Sequence, residues 1–141
     1  MSEIKTELLN DKLVKAKDFK TFLQSNEKHI RLDDFHHCLY DLIQNSGLKN
    51  SELFLNAGIS ESFGYQLLNG KRQPSRDKVL QLGIGLKLSI EKTNVLLKLA
   101  EKSELYVKNK RDAVVMFALN NHFNYIEVNE LLEEEACDLF E

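Results

Sequence analysis

The chain has 141 residues, 43% apolar and 29% charged, with a formal net charge of −3. That length and balance suit a single globular domain and argue against a general nucleic-acid coat, which would be basic. One proline, Pro74, and six glycines are too few breakers for the many tight turns of a β-sandwich, so an all-α fold is expected.

Helical periodicity runs along the whole chain. Ile4, Leu8, Leu9 and Leu13 form a stripe on one helix face. A short helix is expected to start near Asp18, with Phe19, Phe22 and Leu23 apolar, and to end in the polar run 24–28. Asp33 or Asp34 caps a third helix bearing Phe35, Leu39, Leu42 and Ile43, which Gly47 stops. Asn50–Ala57 is a short helix stopped at Gly58. Ser60 caps the next, which runs to Asn69 and stops at Gly70. Beyond Pro74, Ser75 caps a helix from Arg76 to about Leu86, and Ser89 caps one bearing Val95, Leu96, Leu97 and Leu99. Asn109–Leu119 includes seven consecutive apolar residues, Ala113 to Leu119, and so is expected to be buried all round. Asn124–Glu134 is amphipathic through Ile126, Val128, Leu131 and Leu132.

Residues 48–70 read LKNSELFLNAGISESFGYQLLNG, two short helices around a glycine turn, the pattern of a helix-turn-helix. Counted from Asn50, the motif wants apolar or small residues where Leu53, Ala57, Ile59 and Leu67 stand, and glycine at Gly58. All five places are met. Two depart: Phe54 stands where a small residue is usual, and Gly64 where an aliphatic one is. These places face each other between the helices, so one large and one absent side chain can conserve packed volume. On the second helix Ser62, Tyr65 and Asn69, flanked by Glu61 and Gln66, form an outward polar and aromatic face, the candidate base-reading set. Lys71, Arg72 and Arg76 follow, and with Asn50 they are the candidate phosphate contacts. Charge supports the placement: residues 48–78 carry +2, against −1 for residues 1–47 and −4 for residues 79–141. The alternative is a solvated face on a small helical bundle.

The stretch from Phe35 to Ala100 resembles the five-helix DNA-binding domain of the phage repressor and Cro family, also called the XRE family. Its most telling segment is GYQLLNGKRQPSRDKVLQL, residues 64–82, which is similar to the N-G-K-x-x-P-S run after the recognition helix of many such regulators. The continuation LSIEKTNVLLKLAEKSELY…KRDAVVMFAL looks like a subgroup with extra carboxyl-terminal helices, common among bacterial regulators. The resemblance implies a lambda-repressor-like core at 33–101, with the motif at 50–69, flanked by helical extensions at 1–30 and 103–141. It implies sequence-specific binding of double-stranded DNA as a transcriptional regulator, a repressor in the first instance. It also implies a homodimer on a palindromic operator, with the extensions as candidate dimerisation elements. The rival expectation is a protein-interaction module of antitoxin or phage-regulator type, in which the motif is a retained scaffold with a protein partner.

Other signals are weak. His36, His37 and Cys38 are adjacent, so a helix points them about 100° apart and they cannot share one metal ion; no metal and no cofactor are expected. Cys38 and Cys137 stand far apart without a partner motif, which suits a reducing compartment. No acid, base or nucleophile constellation suggests an enzyme. Gly83-Ile84-Gly85 is expected to mark loose helix packing. Lys110, Arg111 and Asp112 read as a helix-start charge cluster with a possible second phosphate contact, and Glu133 to Glu135 as a solvated end. No apolar run approaches about 18 residues, so no membrane span is expected, and without a signal-like amino terminus the location is expected to be cytoplasmic.

Overall fold

A computed structural model of the protein describes residues 6–20 and 34–141, and every regular element among them is an α-helix. They fall into two units, one ending at Asp34 and one spanning Phe35–Glu141. The first unit contributes α1, Thr6–Lys15, with Leu9 and Leu13 one helical turn apart. Most of the short helix expected from Asp18 lies outside the described residues.

The second unit holds α2 (Asp34–Ser46) from Phe35 onward, α3 (Asn50–Ala57), α4 (Glu61–Leu68), α5 (Arg76–Gly85), α6 (Ile90–Leu99), α7 (Lys110–Asn120) and α8 (Tyr125–Glu134). The local chemistry sets these bounds. Ser60, Ser75, Ser89, Asn109 and Asn124 each accept a hydrogen bond from the third residue of the helix they precede, satisfying a backbone donor that lacks a partner within the helix.

The core is organised around α5. Every residue from Val79 to Gly85 is buried, and the helix packs on α3, α6, α7 and α8. The most enclosed stretch is thus α5 from Val79 onward, not the apolar run of α7. Phe117 on α7 is 54% exposed, and only Val114, Val115, Ala118 and Leu119 of that run are fully buried. Likewise Ile126 is 65% exposed, leaving Val128 and Leu132 as the buried stripe of α8. Gly83 and Gly85 mark close approach rather than loose packing. A Cβ on Gly83 would stand 2.8 Å from Thr93 Oγ1, and one on Gly85 would stand 2.7 Å from Ala57 Cβ. Glycine at Gly85 therefore lets α5 run directly under the end of α3.

Gln81, 1% exposed, completes that junction. Its amide Nε2 donates to the carbonyls of Ala57 at 3.1 Å and Gly58 at 3.4 Å, serving acceptors that the end of α3 would otherwise leave unpaired. The residues after α8 are also fastened to the core. Asn129 bonds both the N–H and the carbonyl of Phe140, at 2.9 and 3.2 Å, and Phe140 is 3% exposed. Among the described residues no helix is long and apolar enough to cross a membrane.

Candidate nucleic-acid interface

The α3–α4 pair is built by one left-handed turn and one close contact. Gly58 ends α3 at φ 69°. The Ile59 N–H then bonds back to the Phe54 carbonyl at 2.9 Å, which sends the chain toward α4. A side chain at Gly58 would strike the ring of Tyr125 on α8, so this position needs glycine both for its φ and for space. Tyr125 is itself held, its hydroxyl donating to the Phe140 carbonyl at 3.0 Å. The carboxyl-terminal helix thereby braces the turn of the pair.

Between the two helices the Phe54 ring lies flat against Gly64. A Cβ there would sit 2.5 Å from Phe54 Cε1 and 2.6 Å from Cδ1 and Cζ. Phe54 is 1% exposed, and Leu53, Ala57, Ile59 and Leu67 are buried around it. One aromatic ring thus fills the space that two smaller side chains occupy in the usual pattern.

The outward side of α4 carries Glu61, Ser62 and Tyr65, with Asn69 at its carboxyl-terminal cap; all four are exposed and Gln66 is half-buried. Tyr65, 46% exposed, meets Phe54 edge-on with ring centroids 5.2 Å apart, so it has a structural contact as well as an open edge. Asn69 Oδ1 accepts from the Lys71 N–H at 3.0 Å, shaping the turn at Gly70. Asn50 is half-buried in the first turn of α3. His36 lies beside Gly70, while His37 is exposed.

The candidate cations separate. Lys71 and Arg72 are exposed. The Arg72 N–H bonds the Gln66 carbonyl at 3.1 Å, its side-chain Nε donates to Gln66 Oε1 at 2.6 Å, and its guanidinium stands 5.1 Å from the centre of the Phe63 ring. Lys78, which the sequence did not single out, places its ammonium 5.5 Å from the same ring. Its signal was modest: a lysine in the first turn of α5, three residues after the Ser75 cap.

Arg76 departs from expectation. Its Nη1 and Nη2 donate to the two carboxylate oxygens of Asp112 at 2.9 and 2.8 Å, and further bonds reach the carbonyls of Ser103 and Glu104. Those bonds direct it into the protein and tie the start of α5 to α7 and to residues 103 and 104. Arg111 forms the reciprocal pair with Asp77, at 2.8 and 3.1 Å, so the Lys110–Asp112 cluster joins α7 to α5. Burial opposes the Asp112 carboxylate. The Arg76 hydrogen bonds, the Tyr106 N–H and the charges of Arg76 and Arg111 outweigh it, and the pKa lies below its ordinary value. The Asp77 hydrogen bonds raise the Arg111 pKa against the opposing effect of burial. The acidic run Glu133 to Glu135 is exposed, with Glu135 3.7 Å from Lys110.

Comparison with protein-family models, curated proteins and solved structures finds no match in any of the three.

Proposed function

We propose that this protein is a sequence-specific double-stranded DNA-binding regulator of transcription, with α2–α6 arranged as in the repressor and Cro family. In this reading α4 enters the major groove. A helix with its side chains is about 10–12 Å across and the groove about 12 Å wide, so one helix face is read at a time. The observation that carries the reading is the division of α4. Its inner face is locked by Phe54, Gly64 and Leu67, while Glu61, Ser62, Tyr65 and Asn69 stay open with Lys71 and Arg72 just beyond.

Affinity comes from Lys71 and Arg72 on phosphates, and discrimination from the base edges met by Ser62, Tyr65, Gln66 and Asn69. Glu61 accepts from a cytosine amino group if one stands opposite it. One such helix spans only a few base pairs, so the reading includes a two-fold dimer on a palindrome, with half-sites about 34 Å apart or a multiple of that. The test is enrichment from a pool of random duplexes by the full chain at low and physiological salt. A palindromic consensus is expected, with the preference relaxed at one position of each half-site by Gln66→Met. Salt-independent recovery of unrelated sequences rejects the reading and favours a protein-binding surface.

A further inference from the structure

We propose that residues 137–141 act as a releasable strap on the α3–α4 pair, and that Tyr125 relays to the turn at Gly58 whether the strap is docked. The consequence for DNA rests on the DNA-binding reading above; the coupling between strap and turn does not. These residues follow α8 without regular structure, beyond a left-handed Ala136 at φ 57°. Phe140 is buried, while Asp138, Leu139 and Glu141 are exposed. From Asp138 onward the segment is held by side chains of other elements. Asn129 bonds both the N–H and the carbonyl of Phe140, and the Tyr125 hydroxyl donates to the same carbonyl at 3.0 Å. Arg111 Nε donates to the Asp138 carbonyl at 2.9 Å, and its guanidinium stands 4.8 Å from the centre of the Phe140 ring. Lys78 Nζ and Gln81 Nε2 reach the Glu141 carbonyl at 3.0 and 3.2 Å. A segment with one apolar anchor and a few partly exposed hydrogen bonds opens at lower cost than the fold it lies on.

Two of these holds also touch the turn. Gln81 Nε2 faces the Ala57 and Gly58 carbonyls as well as that of Glu141, and an amide has two N–H groups to share among the three. When Glu141 leaves, Gln81 keeps its partners at the turn, so this junction is not weakened. Tyr125 is different. Its backbone is fixed in the first turn of α8, where Asn124 and Glu127 form a capping box, and its hydroxyl is fixed on Phe140. Between those two anchors its ring lies against Gly58. With Phe140 released, the hydroxyl turns to water and the outer end of the ring is no longer tied. The side chain can then swing off Gly58, and glycine has no side chain of its own with which to hold a left-handed turn. The brace on the turn is therefore as firm as the strap.

The experiment is amide hydrogen exchange on the full chain, unaltered and as Asn129→Ala and Phe140→Ala, each checked for folding by circular dichroism. Asn129→Ala removes both bonds to the Phe140 backbone and alters no side chain at the turn; it decides alone if Phe140→Ala does not fold. Three sets of amides are compared: residues 138–141, the turn amides of Gly58 and Ile59, which bond the Leu55 and Phe54 carbonyls, and those of α6. Asn129→Ala is expected to speed exchange at 138–141, to speed it about fivefold at the turn, the worth of one hydrogen bond, and to leave α6 unchanged. Tyr125→Phe keeps the ring and loses only the hydroxyl. It too should speed the turn, and adding Asn129→Ala to it should raise the turn rate by less than in the unaltered protein. No change at 138–141 in either strap variant, or a change there without one at the turn, overturns the inference. An equal factor in all three sets also overturns it, leaving 137–141 a general stabiliser of the fold. On a duplex that the unaltered protein enriches, the linkage runs in reverse, and DNA that orders the turn should slow exchange at 138–141. DNA that slows the turn and leaves 138–141 untouched overturns the coupling. If no duplex is enriched, the DNA-binding reading fails, and the exchange pattern of the free protein still decides the strap.

Discussion

Arg72 and Arg76 stand four residues apart and look alike in the sequence, yet they belong to different regions. Arg72 is exposed, bonded to Gln66 of the preceding helix and stacked on Phe63. Arg76 is gripped by Asp112, Ser103 and Glu104 from a segment about thirty residues further on. The first region, α3–α4 and the turn after it, is held by apolar contact and leaves its charges outward. The second, the start of α5 against the start of α7, is held by charges turned inward. What decides whether a cation is available to a ligand is the competition from acceptors inside the fold, and that competition comes from distant segments.

The largest expected effect tests the apolar region. Phe54→Ala removes the ring that fills the space over Gly64 and is expected to cost about 3–5 kcal/mol. Gly64→Leu places a side chain where even a Cβ lies 2.5 Å from that ring, and is expected to cost about 1–3 kcal/mol. The double substitution restores the usual pairing and should cost much less than the two single losses together. Urea unfolding of the four proteins measures this. Simple additivity would mean that the ring and the glycine are not energetically coupled.

Next comes the charged region. Arg76→Ala strands the Asp112 carboxylate, 8% exposed, and is expected to cost roughly 3 kcal/mol, the lower end of the range for breaking a buried pair, because Arg76 is itself 27% exposed. Arg72→Ala should cost less than about 1 kcal/mol, the value of an exposed cation–π contact. If the two arginine variants unfold at the same urea concentration, the contrast between the regions collapses and Arg76 returns to the pool of surface cations.

The two regions should also differ in acid. The Asp112 pKa is lowered in the folded protein, so its contribution is fully present above the unfolded value of about 3.9 and is lost as pH falls through the lower folded value. Stability measured from pH 6 to pH 2 should therefore decline more steeply in the unaltered protein than in Asp112→Asn. Phe54→Ala should shift the whole curve down without changing its shape. Parallel curves for the unaltered protein and Asp112→Asn would remove the charged pair from the account.

How much of this was legible in the sequence follows the same division. The bounds of α2, α3 and α4 could be read because Gly47, Gly58 and Gly70 end them in left-handed backbone. The later helices α5, α7 and α8 end at Gly85, Asn120 and Glu134, within one residue of the bounds read from caps and periodicity, although Lys87, Glu101, His122 and Ala136 rather than glycines take the left-handed conformation after α5 to α8. Facing places within one motif are local, so Phe54 over Gly64 could be anticipated. Burial of α5 could not, because Gln81, Gly83 and Gly85 dilute its apolar content while answering to Ala57, Gly58 and Thr93 from other helices. The Arg76–Asp112 and Arg111–Asp77 pairs join residues more than thirty positions apart. Their only trace was the Arg-Asp dipeptide repeated at the start of both helices.

The smallest effect on stability carries the sharpest functional contrast. Lys71→Ala and Arg72→Ala alter exposed side chains and should change stability little, by less than about 1 kcal/mol each. In the proposed DNA-binding function their effect is on affinity and its salt dependence. With Arg76 committed inside, two cations per subunit remain from the three that the sequence suggested. Four phosphate contacts per dimer give a log–log slope of about −3.6, where six would give about −5. Removing Lys71 should make the slope shallower by about 2 per dimer, because each lost contact releases about one fewer counterion. Arg76→Ala, assayed at a temperature where it is still folded, should leave the slope unchanged. A slope that responds to Arg76 and not to Lys71 would reverse the assignment of the two regions, placing the inward charges on the DNA and the outward ones in solvent.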